Sequence, residues 1–446
     1  MDIRNKILEF IIHSTLEDFN PDVVLLAKRS LLDVVGNIIA AVDTKASIAA
    51  RNFASGFTYP QEATLFGSKQ KVPCAFAAFA NSMTASALDA DDGHRGAMGH
   101  PGSAVITSSL AVGEKAKLNG KSLLEAIVVG YEIAIRMGKI ANRHHQAQFI
   151  GSGHWTSFGV VAAVAKLMKM GKEKCLNALG ICDAHTPKAP MYWMFSGNHS
   201  MIKEAIGWGA FTGVSSAMLT NNGMEGTFSI RNDGKEYFDT LGTEFEFEKV
   251  YFKQHSCCRY THPAINGILL LKNSKKFKNE EIDKINIGTF DFALNLKSHS
   301  PKSIEEAEYS VPFAVGAALA YDRVSPREIC EEKLKDNKIL ALANKVHLYL
   351  DADIQKQFPG QTLARVELKL TDGSTLTADP FPLKGDYQNP FTQEELEDKF
   401  RRFAASRLEL EHLNEIILLC HKSDNIDDIS SLVTRVECAV NNSLHK

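Results

Sequence analysis

The chain has 446 residues, 44% of them hydrophobic and 23% charged. That length exceeds one ordinary core at roughly 150 residues per domain, and the apolar content excludes disorder as the main state. With 50 basic residues against 53 acidic and no polybasic block, a dedicated nucleic-acid binder is not expected.

The N-terminal run MDIRNKILEFIIHSTLEDF interrupts its apolar residues with charges, unlike the core of a signal peptide. Asn20-Pro21 then signals a helix start, and Val23 to Val42 carries apolar residues at three- and four-residue steps. Ser122 to Ile140 reads the same way, with Ser122 as a cap and Glu125 three residues later. Phe158 to Met170 and Lys172 to Ile181 make a helical pair around Gly171, and Lys203 to Leu219 is a further helix rich in Ala and Gly. After about residue 250 the pattern changes. Lys284 to Phe292 and Ala364 to Leu370 alternate apolar and polar residues, as half-buried strands do. The Asp372-Gly373 turn predicts an antiparallel return over Thr375 to Ala378. Ser310 to Tyr321 and Pro326 to Val346 read as helices, and Thr392 with Glu395 forms a capping box that restarts a helical pattern. The expected fold is mainly α. A large helical domain is built from both chain ends, 1–254 and 396–446, with a smaller α+β lid inserted at 255–395.

No run of about 18 apolar residues occurs, so no membrane span is expected. The eight cysteines include no C-x-x-C pair, which argues for reduced thiols in a cytoplasm-like compartment. Gly151-Ser-Gly153 fails the dinucleotide fingerprint, and Gly120-Lys121-Ser122 lacks the first glycine of a P-loop. With no G-x-S-x-G and no H-E-x-x-H, neither a cofactor nor a metal is expected.

Four clusters carry chemistry instead. Asp89, Asp91 and Asp92 lie within twelve residues of His94 and His100, in a Gly- and Pro-rich loop before a small-residue helix. Such a loop can bind an anion or shift pKa values; it can equally be a solvated acidic turn. His154 follows Gly151-Ser-Gly153 at a helix start and is either an acid/base group or a structural hydrogen-bonder. His199-Ser-Met-Ile-Lys203 puts a lysine at the start of a helix that otherwise reads as buried. That lysine needs an acidic partner, unless it snorkels to the surface. Lys253, Cys258, Arg259 and His262 fall in ten residues at the expected domain junction, where ligands favour clefts; the bland alternative is a basic hinge.

Taken in order, these clusters resemble the MmgE/PrpD family, which includes 2-methylcitrate dehydratase, cis-aconitate decarboxylase and iminodisuccinate epimerase. The matching segments are Leu88-Asp-Ala-Asp-Asp with His100-Pro101, the Gly-His154 segment, Lys203, Lys253 to Pro263, and Glu308-Tyr-Ser-Val-Pro-Phe313. The sequence departs from the family pattern at Gly93 and Gly102, where hydroxyl residues are usual. It departs again at Cys258 and Phe313, where decarboxylase-like members carry His and Tyr. The resemblance implies a homodimeric, cofactor-independent lyase, dehydratase-like, acting on a small di- or tricarboxylate. Epimerisation, decarboxylation and non-catalytic carboxylate binding are the alternatives. The shared chemistry moves a proton beside a carboxylate, which cations and an imidazole can manage. His100 and His154 are then the acid/base candidates, with Asp89 or Asp91 fixing a tautomer and His262 in either role. Lys203, Lys253 and Arg259 bind carboxylates, with Cys258 and Asp92 alongside.

Overall fold

The computed structural model describes residues 2–143, 150–189, 200–230, 232–274, 277–405 and 408–443. Among them helices dominate, 17 α-helices against eight short strands, so the fold is mainly α. The helix Pro21–Ala41 starts as its sequence predicts: Pro21 takes the first position and the Asn20 side chain accepts from Val23 N. The next long helix, Gly120–Ala141, begins earlier than expected because Asn119, not Ser122, supplies the cap. The helix Ser152–Leu167 likewise begins six residues before Phe158, which places His154 in its first turn. By contrast, the helix Ile206–Asn221 starts three residues late. Lys203 and Ala205 both have left-handed backbone, φ +53° and +57°, which no helix accommodates. Lys203 therefore sits in a turn before the helix.

The largest sheet has four strands, ordered Val346–Leu350, Ile282–Thr289, Arg365–Leu370, Thr375–Ala378. The last two form the predicted hairpin, with Val366 opposite Ala378 and Gly373 at φ +86° in the turn. The first strand pairs parallel to Ile282–Thr289. This overturns the expected helix over Pro326 to Val346, of which the α-helix Asn337–Ala343 is the main part. Asp336 caps that helix and stops it from extending backward, while Val346 pairs with Ile285 in the sheet and stops it forward.

Apolar side chains gather in two main clusters. One joins residues from Ile7 to Phe252 with Phe391 to Val440. The other takes Cys257 to Ala378, with Ala40, Ala41, Ala46, Ala87, Leu88, Ala90 and Phe403. A buried ion pair, Lys399 with Asp33, links the helix Gln393–Ala404 to Pro21–Ala41. The same ammonium donates to Ala90 O at 2.9 Å, so the chain's far end holds the acidic loop in place. No helix among the described residues is long and apolar enough to cross a membrane.

Candidate functional site

The helix Cys74–Ser86 ends where the acidic loop begins. Three donors from distant segments pin that loop: Ser256 Oγ to Leu88 O at 3.0 Å, Lys253 Nζ to Asp89 O at 2.7 Å, and Lys399 to Ala90 O. Asp89 is held in left-handed backbone, φ +48°, a sparsely populated conformation that surroundings must enforce. The loop then pairs Gly93–His94 with Val250–Tyr251, which carries the basic segment to its side.

His100 is buried and its tautomer follows from its partner. Nδ1 lies 2.6 Å from the Asp92 carbonyl oxygen; a carbonyl only accepts, so Nδ1 holds a proton, and in the neutral ring Nε2 is the nitrogen with the lone pair. Nε2 lies 3.8 Å from Asp89 Oδ1 and 3.7 Å from Glu204 Oε1. A cleft opens in front of it, lined among others by Asp89, Glu204, Lys253, Cys258, Arg259 and Tyr309. About 70 Å³ is open to solvent-sized molecules, room for roughly five waters.

The lining is dominated by charge. Lys253 is fully buried, and its ammonium lies 3.1 Å from Asp89 Oδ2. Burial alone would depress the lysine and raise the aspartate. For Lys253 the Asp89 and Asp91 carboxylates outweigh burial and hold its pKa above the usual value. For Asp89, the Lys253 and Lys203 ammonium groups lead the charges that outweigh burial and hold its carboxyl below the usual range. Arg259 stacks on Tyr251, 4.8 Å to the ring centre, and donates to Asp386 Oδ2 at 3.1 Å. Its Nη1 is buried without a hydrogen-bond partner among the described residues. Asp89, Asp91 and His100 each offer one donor atom, all within 4.8 Å of one another. They could hold a cation, but Lys253 already supplies positive charge at that carboxylate.

Five of the sequence-predicted residues therefore meet at the cleft: Asp89, His100, Lys253, Cys258 and Arg259. Asp91 stands just behind, accepting from Ser103 Oγ at 2.6 Å and lying 3.9 Å from His100 Nδ1. Asp92 is a structural anchor, accepting from Tyr131 OH at 2.7 Å and Gly102 N at 3.0 Å; burial pushes its carboxyl up to about 7. Lys203 lies outside the lining, its ammonium held by Glu308. His262 packs edge-on against His255, 4.9 Å between centres, with Nε2 3.2 Å from Cys257 O. His154 is not among the lining residues; its Nδ1 lies 3.3 Å from Pro187 O. His199 lies outside the described residues. Sequence reading missed Glu204, Tyr251 and Tyr309. The last two stood in quoted or adjacent segments; Glu204 carried no signal beyond following Lys203.

Residues 5–249 match the MmgE/PrpD N-terminal domain and residues 255–425 the MmgE/PrpD C-terminal domain. The chain belongs to the MmgE/PrpD family. It is similar to the cis-aconitate decarboxylase of Homo sapiens, 24% identical over 92% of this chain and 90% of that protein. The cis-aconitate decarboxylase of Aspergillus terreus is 23% identical over 99% of this chain and 97% of its own. A cis-aconitate decarboxylase-like protein of Aspergillus oryzae is 22% identical over 94% of each.

The structure explains two departures from the MmgE/PrpD pattern. A Cβ at Gly93 would lie 2.4 Å from the Tyr251 ring, and one at Gly102 would lie 2.4 Å from Tyr131 OH and 2.6 Å from Asp92 Oδ1. Neighbouring side chains fill the space that a side chain at either glycine would enter. Cys258 lines the cleft, where burial pushes its thiol up to about 12, so it is a neutral wall rather than a nucleophile. Phe313 is fully buried in the second apolar cluster, away from the lining.

Proposed function

We propose that this chain is a cofactor-independent lyase that removes a proton beside a carboxylate of a small di- or tricarboxylic acid, with loss of water as the leading reaction. The observation that carries the reading is His100. Its Nδ1–H is committed to a backbone carbonyl, and Nε2, the basic nitrogen of the neutral ring, faces the cleft. A base so fixed suits C–H abstraction. Lys253 and the spare Nη1 of Arg259 provide positive charge on the same walls, where a developing carbanion's carboxylate is stabilised. The relatives' names favour a second reading, decarboxylation of cis-aconitate, which makes the same demands on carboxylate binding. Epimerisation uses the same proton chemistry without elimination, and non-catalytic carboxylate binding leaves the base without a task.

The test is proton NMR in deuterium oxide with malate, citrate, 2-methylcitrate and cis-aconitate. A lyase produces an enoate, or hydrates one, with deuterium entering the carbon beside a carboxylate. Cis-aconitate losing a carbon without hydration selects the second reading. No turnover and no exchange with any of the four would overturn both.

The homodimer belongs to the same proposal. Phe53, Phe57 and Trp208 are 46%, 41% and 46% exposed, and Phe57 stacks on Phe76 at 3.9 Å. An aromatic patch of this kind marks an association surface more often than a solvent face.

A further inference from the structure

We propose that Glu204 is the catalytic acid opposite His100, giving its proton to the departing hydroxyl and taking one back from the imidazolium. The inference rests on the lyase reading above, and specifically on water as the leaving group.

The geometry is a clamp. Ser152 donates to Glu204 Oε2 twice, from its backbone N at 2.9 Å and from its hydroxyl. The same hydroxyl oxygen accepts from the His100 backbone N at 2.8 Å. One serine therefore fixes base and carboxylate to each other. Glu204 is 5% exposed and lines the cleft. Its Oε1 makes no hydrogen bond among the described residues and lies 3.7 Å from His100 Nε2. The backbone is equally constrained: Glu204 stands between Lys203 and Ala205, both left-handed, and Glu204 O accepts from Gly153 N at 2.8 Å. Left-handed backbone at two non-glycine residues costs free energy that the surroundings must supply, and here it aims one carboxylate at the base.

The charge pattern separates Glu204 from the other acids. Asp89 is matched by Lys253, Glu308 by Lys203, and Asp386 by Arg95 and Arg259. Among the described residues the ionic partner of Glu204 is His100, at 3.7 Å. With no lysine or arginine paired to it among the described residues, Glu204 has a carboxyl oxygen free to exchange a proton with a hydroxyl leaving group.

The step balances. The Nε2 lone pair of His100 takes the proton from the carbon beside the substrate carboxylate, and the C–H electron pair remains on carbon. That pair becomes the C=C bond as the C–O bond breaks. The departing oxygen keeps the C–O pair, takes the Glu204 proton and leaves as water. The imidazolium then returns its proton to the Glu204 carboxylate, directly or through one water, and both groups are reset.

Abstraction and departure should therefore separate when Glu204 is removed. The same four acids in deuterium oxide are compared for the wild type, Glu204→Gln and His100→Gln, each checked for folding by thermal melting. Glu204→Gln is expected to lose elimination by about 10²-fold or more while deuterium still enters the carbon beside the carboxylate within a few-fold of wild type. His100→Gln should lose both. Equal loss of exchange and elimination in Glu204→Gln, or unchanged elimination, overturns the proposal. If Glu204→Gln does not fold, Glu204→Asp carries the test, with elimination expected to fall more than exchange and a parallel fall overturning it. A wild type that neither exchanges nor eliminates overturns the lyase reading itself, a different result from either.

Discussion

The buried pair of Lys253 and Asp89 can be tested without knowing the substrate. Lys253 has no exposed surface, and its ammonium sits 3.1 Å from Asp89 Oδ2 and 2.7 Å from Asp89 O. At that separation, with an effective dielectric near 20, unit charges attract by roughly 5 kcal/mol. Lys253→Met keeps the chain's bulk and deletes the charge. It leaves the Asp89 carboxylate buried and its main counter-charge gone, a situation that costs about 3–5 kcal/mol. Asp89→Asn strands the ammonium in the same way, although the backbone carbonyl still accepts from it. The double variant has neither charge, so its loss should be smaller than the two single losses together by about 2 kcal/mol or more. Equilibrium denaturation of the four proteins measures this. The pH dependence carries a sign. The folded Asp89 carboxyl is held below its usual value, so its stabilisation is fully present above the unfolded carboxyl range near 4. It is lost as pH falls through the lower folded value. The gap between wild type and Lys253→Met should therefore be widest near neutrality and close in acid. Additivity of the single variants within about 0.5 kcal/mol, or a gap that widens in acid, would refute the reasoning.

Gly93→Thr should destabilise the fold or displace Tyr251 from the cleft, since a Cβ there lies 2.4 Å from that ring; an unchanged melting temperature would contradict the close packing. Trp208→Glu should convert a dimer to monomers in sedimentation if the aromatic patch is the association surface, and a dimer that persists places the interface elsewhere. Extensive dialysis against a chelator should leave any lyase activity intact because Lys253 already neutralises Asp89; activity lost and restored by one ion would assign the Asp89, Asp91 and His100 trio to a metal. Saturating tricarballylate should slow amide exchange across residues 250–265, the segment joining the two apolar clusters, whereas an unprotected segment would argue against a closing insertion.

Helix starts were legible where a side chain caps its own backbone, as at Asn20 and Thr392, because that chemistry is local. The alternation of Ala364 to Leu370 and the turn at Gly373 were legible for the same reason. The helix expected over Pro326 to Val346 shrinks to Asn337–Ala343 because Asp336 caps its start, and beyond its end Val346–Leu350 finds a partner strand sixty residues upstream, where propensity yields to pairing. The candidate site divides along the same line. Acidic loop, histidine and basic segment could be read from residue types and order, and five of the ten named residues do meet at one cleft. Which side chains face it could not, since that is fixed by long-range partners. Asp92 turns to Tyr131, Lys203 to Glu308 and His154 to Pro187, while Glu204 turns inward on two residues of left-handed backbone. The sequence by itself determined the mainly helical class, the family and the chemical inventory. Only the tertiary structure decided the tautomer of His100 and the carboxylate opposite it, because both depend on groups, Asp92 O and Ser152, brought together by folding.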